Sequence, residues 1–401
     1  MDRAGEGQLA AFRAEVRHWL ETHVPRQSAP PITADARAHR AFLQGWQRTL
    51  HDGGWAGIAW PAASGGRDLD PLQQIVWYEE YARAAAPEAS GLSVSQSHAG
   101  PTLIQCGTPE QQAFHLPRIL RGEAIWCQGF SEPGAGSDLA GIRCRGEVVG
   151  DEIVVNGSKI WTSFAQGSDY QELVLRTEPG SQRHKGLSWV ICDMSSPGIT
   201  VRPIRSMDGE YHNCEVFYDN VRIPLANVVG ALGDGWRVSM ATLAFERGRS
   251  FVGSQVRIGQ TVERLIAHAR DTRDAEGRPL IADAQVAARL GALRARSAGL
   301  KAMTLFAAGR SLNDEVPGAE GTYVALMLAE VKQELFQLWM DLLELRGLEV
   351  DDSAHAVNPV LQYLFSYAVT IGGGTSEVRR NIIAERLLGL PRHEATGALL
   401  A

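Results

Sequence analysis

The sequence predicts an α+β protein made of a helical part, a β-sheet part and a second helical part. Apolar residues recur at helical spacing up to about residue 124, and the same spacing returns after about residue 235. Between these stretches, short runs of β-forming residues alternate with turn signals such as Pro197-Gly198 and Asp208-Gly209. We therefore predict three domains: an N-terminal helical domain over 1–124, a middle barrel- or sandwich-like β-domain over 125–234, and a C-terminal four-helix bundle over 235–401.

The N-terminal helices are predicted from apolar spacing and from capping residues. Asp70 is typical of an N-cap, and Pro71 of a first helical position, because proline there loses no hydrogen bond. Thr108 opens the last helix with a capping signal that ends in Gln111. The predicted helices cover about 8–24, 42–51, 72–86, 91–106 and 108–122.

The middle and C-terminal elements follow from a change in the apolar period. Strands are predicted at 146–155, 172–176, 187–192 and 215–218. Asn156-Gly157 lies between two apolar runs, which predicts a hairpin turn at that point. The predicted C-terminal helices cover about 236–268, 282–308, 322–346, 360–370 and 376–388.

Composition excludes several classes of protein. The net charge of −7 gives no support for nucleic-acid binding. No run of 18 apolar residues occurs, and the N-terminus lacks the order of a signal peptide. The five cysteines are odd in number and form no C-x-x-C pair, so we expect reduced, mostly buried thiols in the cytoplasm. The four histidines considered as metal ligands lie at no ligand spacing, and we expect no metal: His98, His115, His184 and His212.

Two segments carry the functional signal. The stretch Trp126–Asp138 reads W-C-Q-G-F-S-E-P-G-A-G-S-D, and its small residues after Pro133 expose backbone N–H groups that can approach a flat polar ligand. The same run could be an ordinary connection between strands, because glycine-rich loops are weak signals. Further along, Trp161 is followed by Thr162 and Ser163, an aromatic plate with two hydroxyls beside it.

Together, the E-P-G-A-G-S-D loop and the W-T-S triplet resemble the acyl-CoA dehydrogenase family of flavoproteins. The resemblance covers nearly the whole chain and implies FAD as the cofactor. It implies that Trp161 lies against the isoalloxazine and that Ser163 hydrogen-bonds flavin N5. Taken singly, Trp161 could be a core tryptophan and the serines turn residues. The other flavin contacts that the resemblance implies are Phe130, Ser131, Gly136, Ser137, Arg273, Thr375 and Glu377.

The resemblance also implies where the catalytic base stands. Many members carry a glutamate just before the Gly-Thr pair of the C-terminal loop, but here that position is Gly373. In the isovaleryl- and long-chain-type members the base stands on an earlier helix before an arginine, and the matching residues are Glu246 and Arg247. The alternative to a catalytic role is a structural one, in which Glu246 forms an ion pair with Arg247 or Arg249.

The implied activity is α,β-dehydrogenation of an acyl thioester, carried by coenzyme A or by acyl-carrier protein. Glu246 would abstract the α-proton, and hydride would pass to flavin N5. Ser137, Arg247 and Gly373 match positions near the substrate, and electrons would leave to an electron-transfer flavoprotein. Two alternatives stay open: a flavin monooxygenase or oxidase on the same fold, and a non-catalytic partner subunit, which the glycine at position 373 favours.

The resemblance further implies a tetramer, formed with identical or related subunits. The sequence observation beside it is an amphipathic helix over 322–346, which carries a broad apolar stripe. The stripe consists of Val324, Leu328, Val331, Leu335, Leu338 and Leu342. Some family positions are altered, since Glu276 stands where the family has a phenylalanine after Arg273. These departures affect the expected flavin contacts between subunits.

Overall fold

The computed structural model describes residues 3–88, 90–246, 251–311, 320–350 and 358–391. A helical region comes first, a β-sheet region second and a helical region third, which confirms the predicted fold class. The chain divides into two compact units, Met1–Gly248 and Arg249–Ala401. The domain boundaries at 124 and 234 remain predictions.

The first unit begins with the predicted helices, and two of them have the predicted caps. The Asp70 carboxylate accepts hydrogen bonds from the N–H groups of Leu72 and Gln73, and the Thr108 hydroxyl accepts one from Gln111. Both caps form complete capping boxes, so they satisfy N–H groups that a helix start leaves unpaired. The helices are α1 Arg3–His23, α2 Arg37–Asp52, α3 Pro71–Arg83, α4 Ser90–Ser93, α5 Gly100–Cys106 and α6 Pro109–Leu120.

The stretch predicted as one helix over 91–106 is helical but not uniform. A wider π-type turn, Val94–Ala99, separates α4 from α5. Proline at position 101 has no N–H to continue an ordinary α-helical ladder. Turns of this kind are frequent at functional sites, and this one brings His98 toward the sheet.

Eight strands form one sheet in the middle of the first unit. The order is β6-β7-β3-β2-β4-β5-β8, and β1 pairs in parallel with β4. The β2–β4 contact is a single parallel pair, Arg145 with Arg176, so the sheet bends there into two halves. The strands are β1 Trp126–Gly129, β2 Arg145–Val149, β3 Glu152–Ser163, β4 Tyr170–Arg176, β5 Leu187–Asp193, β6 Ile199–Ile204, β7 Asn213–Pro224 and β8 Val228–Val229.

The predicted hairpin turn at Asn156-Gly157 is wrong. Both residues lie inside β3, and the β2–β3 hairpin turns earlier, at Gly150, where φ is +66°. The register of β3 against β7 shifts between Val155 and Gly157, which marks a β-bulge. Gly157 has φ +145°, and a Cβ there would come within 2.9 Å of the Cα of Cys144. The glycine therefore permits a bulge and a close approach of two backbones, which an Asn-Gly pair does not distinguish from a turn.

The two faces of the sheet pack in different cores. Inside the bend, residues from both halves meet, including Ile153, Val155, Leu173, Val190 and Val216. On the opposite face of β1, β4 and β5, Trp126 and Trp189 pack against the helices. The helix α7 Gly235–Glu246 joins this second core through Val238 and Leu243, so it belongs with the first unit by its packing. Four of the five cysteines are buried and all five are free thiols, which confirms the expectation of mostly buried, unpaired cysteines.

The second unit is helical. Its helices are α8 Phe251–Asp271, α9 Ala284–Ser311, α10 Glu320–Leu343, α11 Pro359–Ser366 and α12 Ser376–Arg386. The apolar stripe of α10 is already used within the unit, because Leu328, Val331, Leu335, Leu338 and Leu342 are buried in one core with α8 and α9. The stripe therefore supplies no free surface for assembly. Within the described ranges, every helix is too short or too polar to cross a bilayer.

Candidate functional site

The small-residue loop after β1 is held by its own backbone and by one carboxylate. Glu132 and Ala135 exchange two backbone hydrogen bonds of 3.0 Å, which close a tight turn around Pro133 and Gly134. The Glu132 carboxylate accepts from the N–H of Arg143 at 2.6 Å and from that of Cys144 at 2.9 Å. One side chain thus ties the beginning of the loop to its end.

The rim of this loop is open. Gly136 and Ser137 are exposed, and a Cβ added at Gly134 or Gly136 would meet no atom within 4 Å. The glycines therefore make no close approach to other parts of the described chain. What they leave accessible is backbone, which fits a ligand that lies against the loop. Asp138, at the end of the loop, pairs with Arg183 at 3.0 Å.

Trp161 is the most unusual residue of this region. Its φ is +60°, a left-handed conformation that is costly for a bulky side chain, and 59% of the residue is exposed. The register of β3 shifts again between Lys159 and Thr162, so a second bulge re-aims the indole outward. The alternative of a core tryptophan is wrong, and a large aromatic face is left uncovered in the isolated chain.

The two hydroxyls beside Trp161 point in opposite directions. Ser163 is exposed, and its hydroxyl lies 3.2 Å from the side-chain oxygen of Asn213. Thr162 is fully buried, and its hydroxyl has no partner among the described residues. Only one hydroxyl of the triplet therefore stands beside the exposed indole. This alternation follows from the period of the strand.

The predicted base lies at the end of α7, where Glu246 is the last described residue. The buried face of that helix carries Thr242, whose hydroxyl meets that of Thr102 on α5 at 2.9 Å. Arg247 and Arg249, the alternative ion-pair partners, lie outside the described residues. Phe130 is buried at the start of the loop, and the backbone oxygen of Ser131 accepts from the N–H of Ile160 at 2.9 Å.

In the second unit, three consecutive glycines, Gly372 to Gly374, lead into α12. Gly373 and Gly374 have φ of +67° and +101°, conformations that glycine adopts at little cost. The Thr375 hydroxyl caps α12 by accepting from the N–H of Val378 at 3.2 Å. Glu377 is exposed, and hydrogen bonds from its own backbone N–H and from the Thr375 hydroxyl lower the pKa of its carboxyl.

Two arginines of the second unit differ in their surroundings. Arg273 is exposed beyond α8, where its backbone forms a single bridge with Pro279. Arg379 is buried and donates to the carbonyl oxygen of Gly372 at 2.8 Å and to that of Val369 at 3.3 Å. The guanidinium therefore holds the glycine entry from inside the unit. Its place next to a cap and three glycines was a usable sequence signal.

A surface pocket of about 430 Å³ was not anticipated from the sequence. The β4–β5 connection and the start of α7 form it, and the ring of His184 lies 4.1 Å from that of Trp236. Lys185 and Arg237 add two cations to the lining, and Glu178 and Asp234 add two carboxylates. Asp234 pairs with Arg237 at 2.6 Å, so the lining carries both signs of charge. The basic run at 183–185 was the available signal.

A buried polar cluster between the π turn and the sheet was also missed. The Gln128 amide donates to the Glu172 carboxylate at 2.8 Å, and His98 Nδ1 lies 3.4 Å from the same oxygen. The sequence carries no signal for this cluster beyond the lack of metal-ligand spacing around His98. His115 on α6 is a further buried histidine. Its burial, and to a smaller extent the positive charge of Arg118, lower the pKa of His115 to about 4, so this imidazole is neutral at pH 7.

The residues around Trp161 fit a flat aromatic group that carries hydrogen-bonding edges. The indole offers an uncovered face, Ser163 offers a hydroxyl, and the loop offers exposed backbone around Gly136. An isoalloxazine ring system has this shape and these edges. Among the described residues, His, Cys, Asp and Glu side chains form no group of three that could hold a metal ion.

Comparison with known proteins gives a consistent result over the whole chain. Three family models match: the acyl-CoA dehydrogenase N-terminal domain at residues 7–123, the middle domain at 127–221 and the C-terminal domain at 233–388. The acyl-CoA dehydrogenase IpdE1 of Mycobacterium tuberculosis is 42% identical over 390 residues, covering 96% of this chain and 98% of the relative.

Solved structures agree with this match. A protein described as the Tcur3481-Tcur3483 steroid ACAD superposes with a TM-score of 0.83 at 30% identity, covering 98% of this chain and 99% of that one. The ChsE4-ChsE5 complex from Mycobacterium tuberculosis gives a TM-score of 0.80 at 30% identity, with 96% and 98% coverage.

Proposed function

The chain belongs to the acyl-CoA dehydrogenase family, and on that premise we propose that it α,β-dehydrogenates an acyl thioester with FAD as the electron acceptor. That it is an oxidoreductase of the acyl-CoA dehydrogenase type follows from the family. The observation that carries the finer proposal is Trp161, which is exposed, held in a left-handed conformation and flanked by the exposed Ser163. A bulky residue held in a strained conformation is typical of a ligand-binding site, which supports a flat ligand against the indole.

The residues proposed to contact FAD are those that the family resemblance implies. They are Phe130, Ser131, Gly136, Ser137, Trp161, Ser163, Arg273, Thr375 and Glu377. When bound, FAD takes up the hydride equivalent that leaves Cβ of the substrate. The protein supplies an aromatic surface, a hydroxyl and backbone N–H groups, which orient the ring system and exclude water from one face of it.

Glu246 is proposed as the base that accepts the α-proton, and Gly373 as a backbone contact to the thioester oxygen. A carbon next to a thioester is weakly acidic, so its proton needs a positioned carboxylate. Support comes from the family position of Glu246 before Arg247 and from the absence of a side chain at Gly373. Arg247 is proposed to lie near the CoA moiety, and Ser137 near the acyl-CoA chain.

Coenzyme A is the proposed carrier of the acyl group in preference to acyl-carrier protein. The description of the IpdE1 relative as an acyl-CoA dehydrogenase supports this choice.

The acyl group is proposed to be bulky, and the assembly to be a tetramer in the cytoplasm. Relatives described as a steroid ACAD and as the ChsE4-ChsE5 complex support a large acyl group and a heteromeric assembly. The tetramer would be formed with identical or related subunits. An electron-transfer flavoprotein is the proposed acceptor of the electrons, on the resemblance to the family.

A second candidate is a partner subunit that contributes flavin contacts without a base of its own. Gly373 favours it, because the family's commoner carboxylate position is empty. The monooxygenase or oxidase alternative has no specific observation in its favour. The dehydrogenase and partner-subunit candidates differ in whether this chain itself reduces bound flavin.

The deciding experiment is an anaerobic titration of the purified, FAD-loaded protein with a panel of straight-chain, branched and steroid-type acyl-CoAs. We expect loss of visible flavin absorbance with a bulky member of the panel. Protein that carries FAD but is bleached by no member, alone or after addition of a related subunit, would contradict the dehydrogenase proposal. Bleaching that needs the related subunit and survives Glu246→Gln in this chain would favour the partner-subunit candidate.

A further inference from the structure

Lys159 is a fully buried lysine on β3 whose ammonium contacts the start of the small-residue loop. Its exposed fraction is 0%, and its ammonium donates to the backbone oxygen of Phe130 at 3.0 Å and to the Glu132 carboxylate at 2.8 Å. Glu132 is itself buried, at 8% exposure. With the N–H groups of Arg143 and Cys144, this carboxylate receives three donors.

Stability alone does not explain this pair. Removing two charges from water is costly, and an apolar pair of similar volume is often as stable as a buried ion pair. An apolar pair cannot make directional hydrogen bonds, so it could not fix the carbonyl of Phe130 relative to β3. A second hydrogen bond joins the same two segments: the N–H of Ile160 donates to the backbone oxygen of Ser131 at 2.9 Å.

The position of Lys159 in β3 gives this link its importance. Two residues later, Trp161 has φ +60° and points outward, and the β3–β7 register shifts between Lys159 and Thr162. A strained residue persists only where its surroundings over-determine it. Lys159 pins the strand on the inner side of this bulge, directly before the strained residue. The same ammonium pins the loop that begins at Phe130.

We propose that the Glu132–Lys159 pair is a positioning device that sets the place of Trp161 relative to the small-residue loop, and thereby the geometry of flavin binding. This inference rests on the proposed function. Neither residue touches the flavin in this proposal; both act through Phe130, Trp161 and the loop backbone. The pair should therefore control FAD affinity separately from the stability of the fold.

The test compares Lys159→Met, Glu132→Gln and the double variant with the wild-type protein. Each single change leaves a buried charge without its partner, so thermal stability should fall, and the double variant should recover part of it. FAD affinity should weaken about tenfold in Lys159→Met and stay weakened in the double variant, as loss of an outer-shell partner weakens a metal site. Dissociation constants are measured by the recovery of FAD fluorescence, at a temperature where circular dichroism shows all variants folded.

The matched control is Arg13→Met. Arg13 pairs with the buried carboxylates of Glu79 and Glu80 at the contact of α1 with α3, which belongs to the same unit but does not include the loop. This variant should lose stability while its FAD dissociation constant stays at the wild-type value. If Lys159→Met does not fold, the double variant gives the same comparison, because its net buried charge is unchanged.

Two results would decide against the inference. FAD affinity that follows melting temperature across all variants would reduce the pair to a structural role. Wild-type affinity in the double variant would show that the charges are not needed for positioning. A wild-type protein that binds no FAD at all would instead overturn the proposed function, and the two failures are therefore distinguishable.

Discussion

At the residue scale, Trp161 combines a strained backbone with an exposed indole, and the cofactor proposal depends on it. Trp161→Ala should weaken FAD binding by about 1–3 kcal/mol, the range found for bases stacked on aromatic side chains. The readout is the FAD dissociation constant from fluorescence. Trp161→Phe keeps a smaller ring at the same place, so its FAD affinity should lie between that of wild type and that of Trp161→Ala. Unchanged affinity in Trp161→Ala would remove the central assignment of the flavin site.

Glu246 is the second decisive residue, since the proposed chemistry requires a carboxylate there. Glu246→Gln keeps size and hydrogen bonding but cannot accept a proton. Acyl-CoA should still bind, and flavin reduction should slow by about 10²–10⁴-fold, the usual contribution of a general base. Stopped-flow absorbance of the reductive half-reaction measures this. Reduction at the wild-type rate would show that the base lies elsewhere.

At the element scale, the contact of α1 with α3 is built around two buried carboxylates. Glu80 accepts from Arg17 at 2.9 Å, and from Arg13 and Arg83 at 2.6 Å each. Burial alone would raise the pKa of Glu80, but the hydrogen bonds from Arg17 and Arg13 and the charge of Arg83 lower it to about 2. The ionised form is therefore favoured in the folded state.

This lowered pKa predicts a loss of stability in acid. The ordinary pKa of Glu80 is 4.5, so its contribution is complete above that pH and is lost between 4.5 and about 2. His115 acts in the same direction at higher pH, because its pKa falls from 6.5 to about 4 on folding, and its contribution is lost as pH drops through that window. Urea midpoints measured from pH 7 to 2 should decline through both windows.

The variant Glu80→Gln isolates the lower window. It should be less stable than wild type at pH 7 by about 1–3 kcal/mol, because charged hydrogen bonds are lost. Between pH 4.5 and 2 its midpoint should decline less steeply than that of wild type. The control is Glu147→Gln, on the exposed side of β2, which should leave the slope unchanged. Parallel slopes in Glu80→Gln and wild type would contradict the assignment.

At the scale of the whole molecule, assembly cannot use the stripe of α10, because that stripe is buried in the second unit. Other large apolar residues of that unit are exposed in the single chain, among them Phe306, Leu345, Leu348, Ile371 and Leu388. A contiguous exposed apolar patch is typical of a face that a partner covers, and these residues are the candidates for such a patch in this unit. We therefore keep the tetramer as a prediction and assign it to this exposed set.

Light scattering at micromolar concentration should give the mass of four chains, either for this chain alone or after mixing with a related subunit. The double variant Leu345→Glu with Leu348→Glu places charges on the exposed set and should lower that mass. Val149→Glu, at an exposed apolar position of the first unit, is the matched control and should not. A monomer under both conditions would contradict the prediction.

The elements whose signals are local were predictable from the sequence. Helix period and capping depend on residues three or four positions apart, and Asp70 and Thr108 both cap helices as expected. The family motifs are local too, since each lies in one short stretch of chain. For this reason the order of helical, β and helical regions, and the candidate flavin residues, could be named before the fold was known.

The features that the sequence did not reveal depend on pairings between distant segments. Asn156-Gly157 is a bulge because β3 pairs with β7, some 60 residues along the chain, and a short-range pattern carries no register. Lys159 is buried only because the loop supplies Glu132 and the carbonyl of Phe130. The pocket at Trp236 exists because α7 meets the β4–β5 connection. Burial and charge pairing are properties of what surrounds a residue, and only the tertiary structure decides those surroundings.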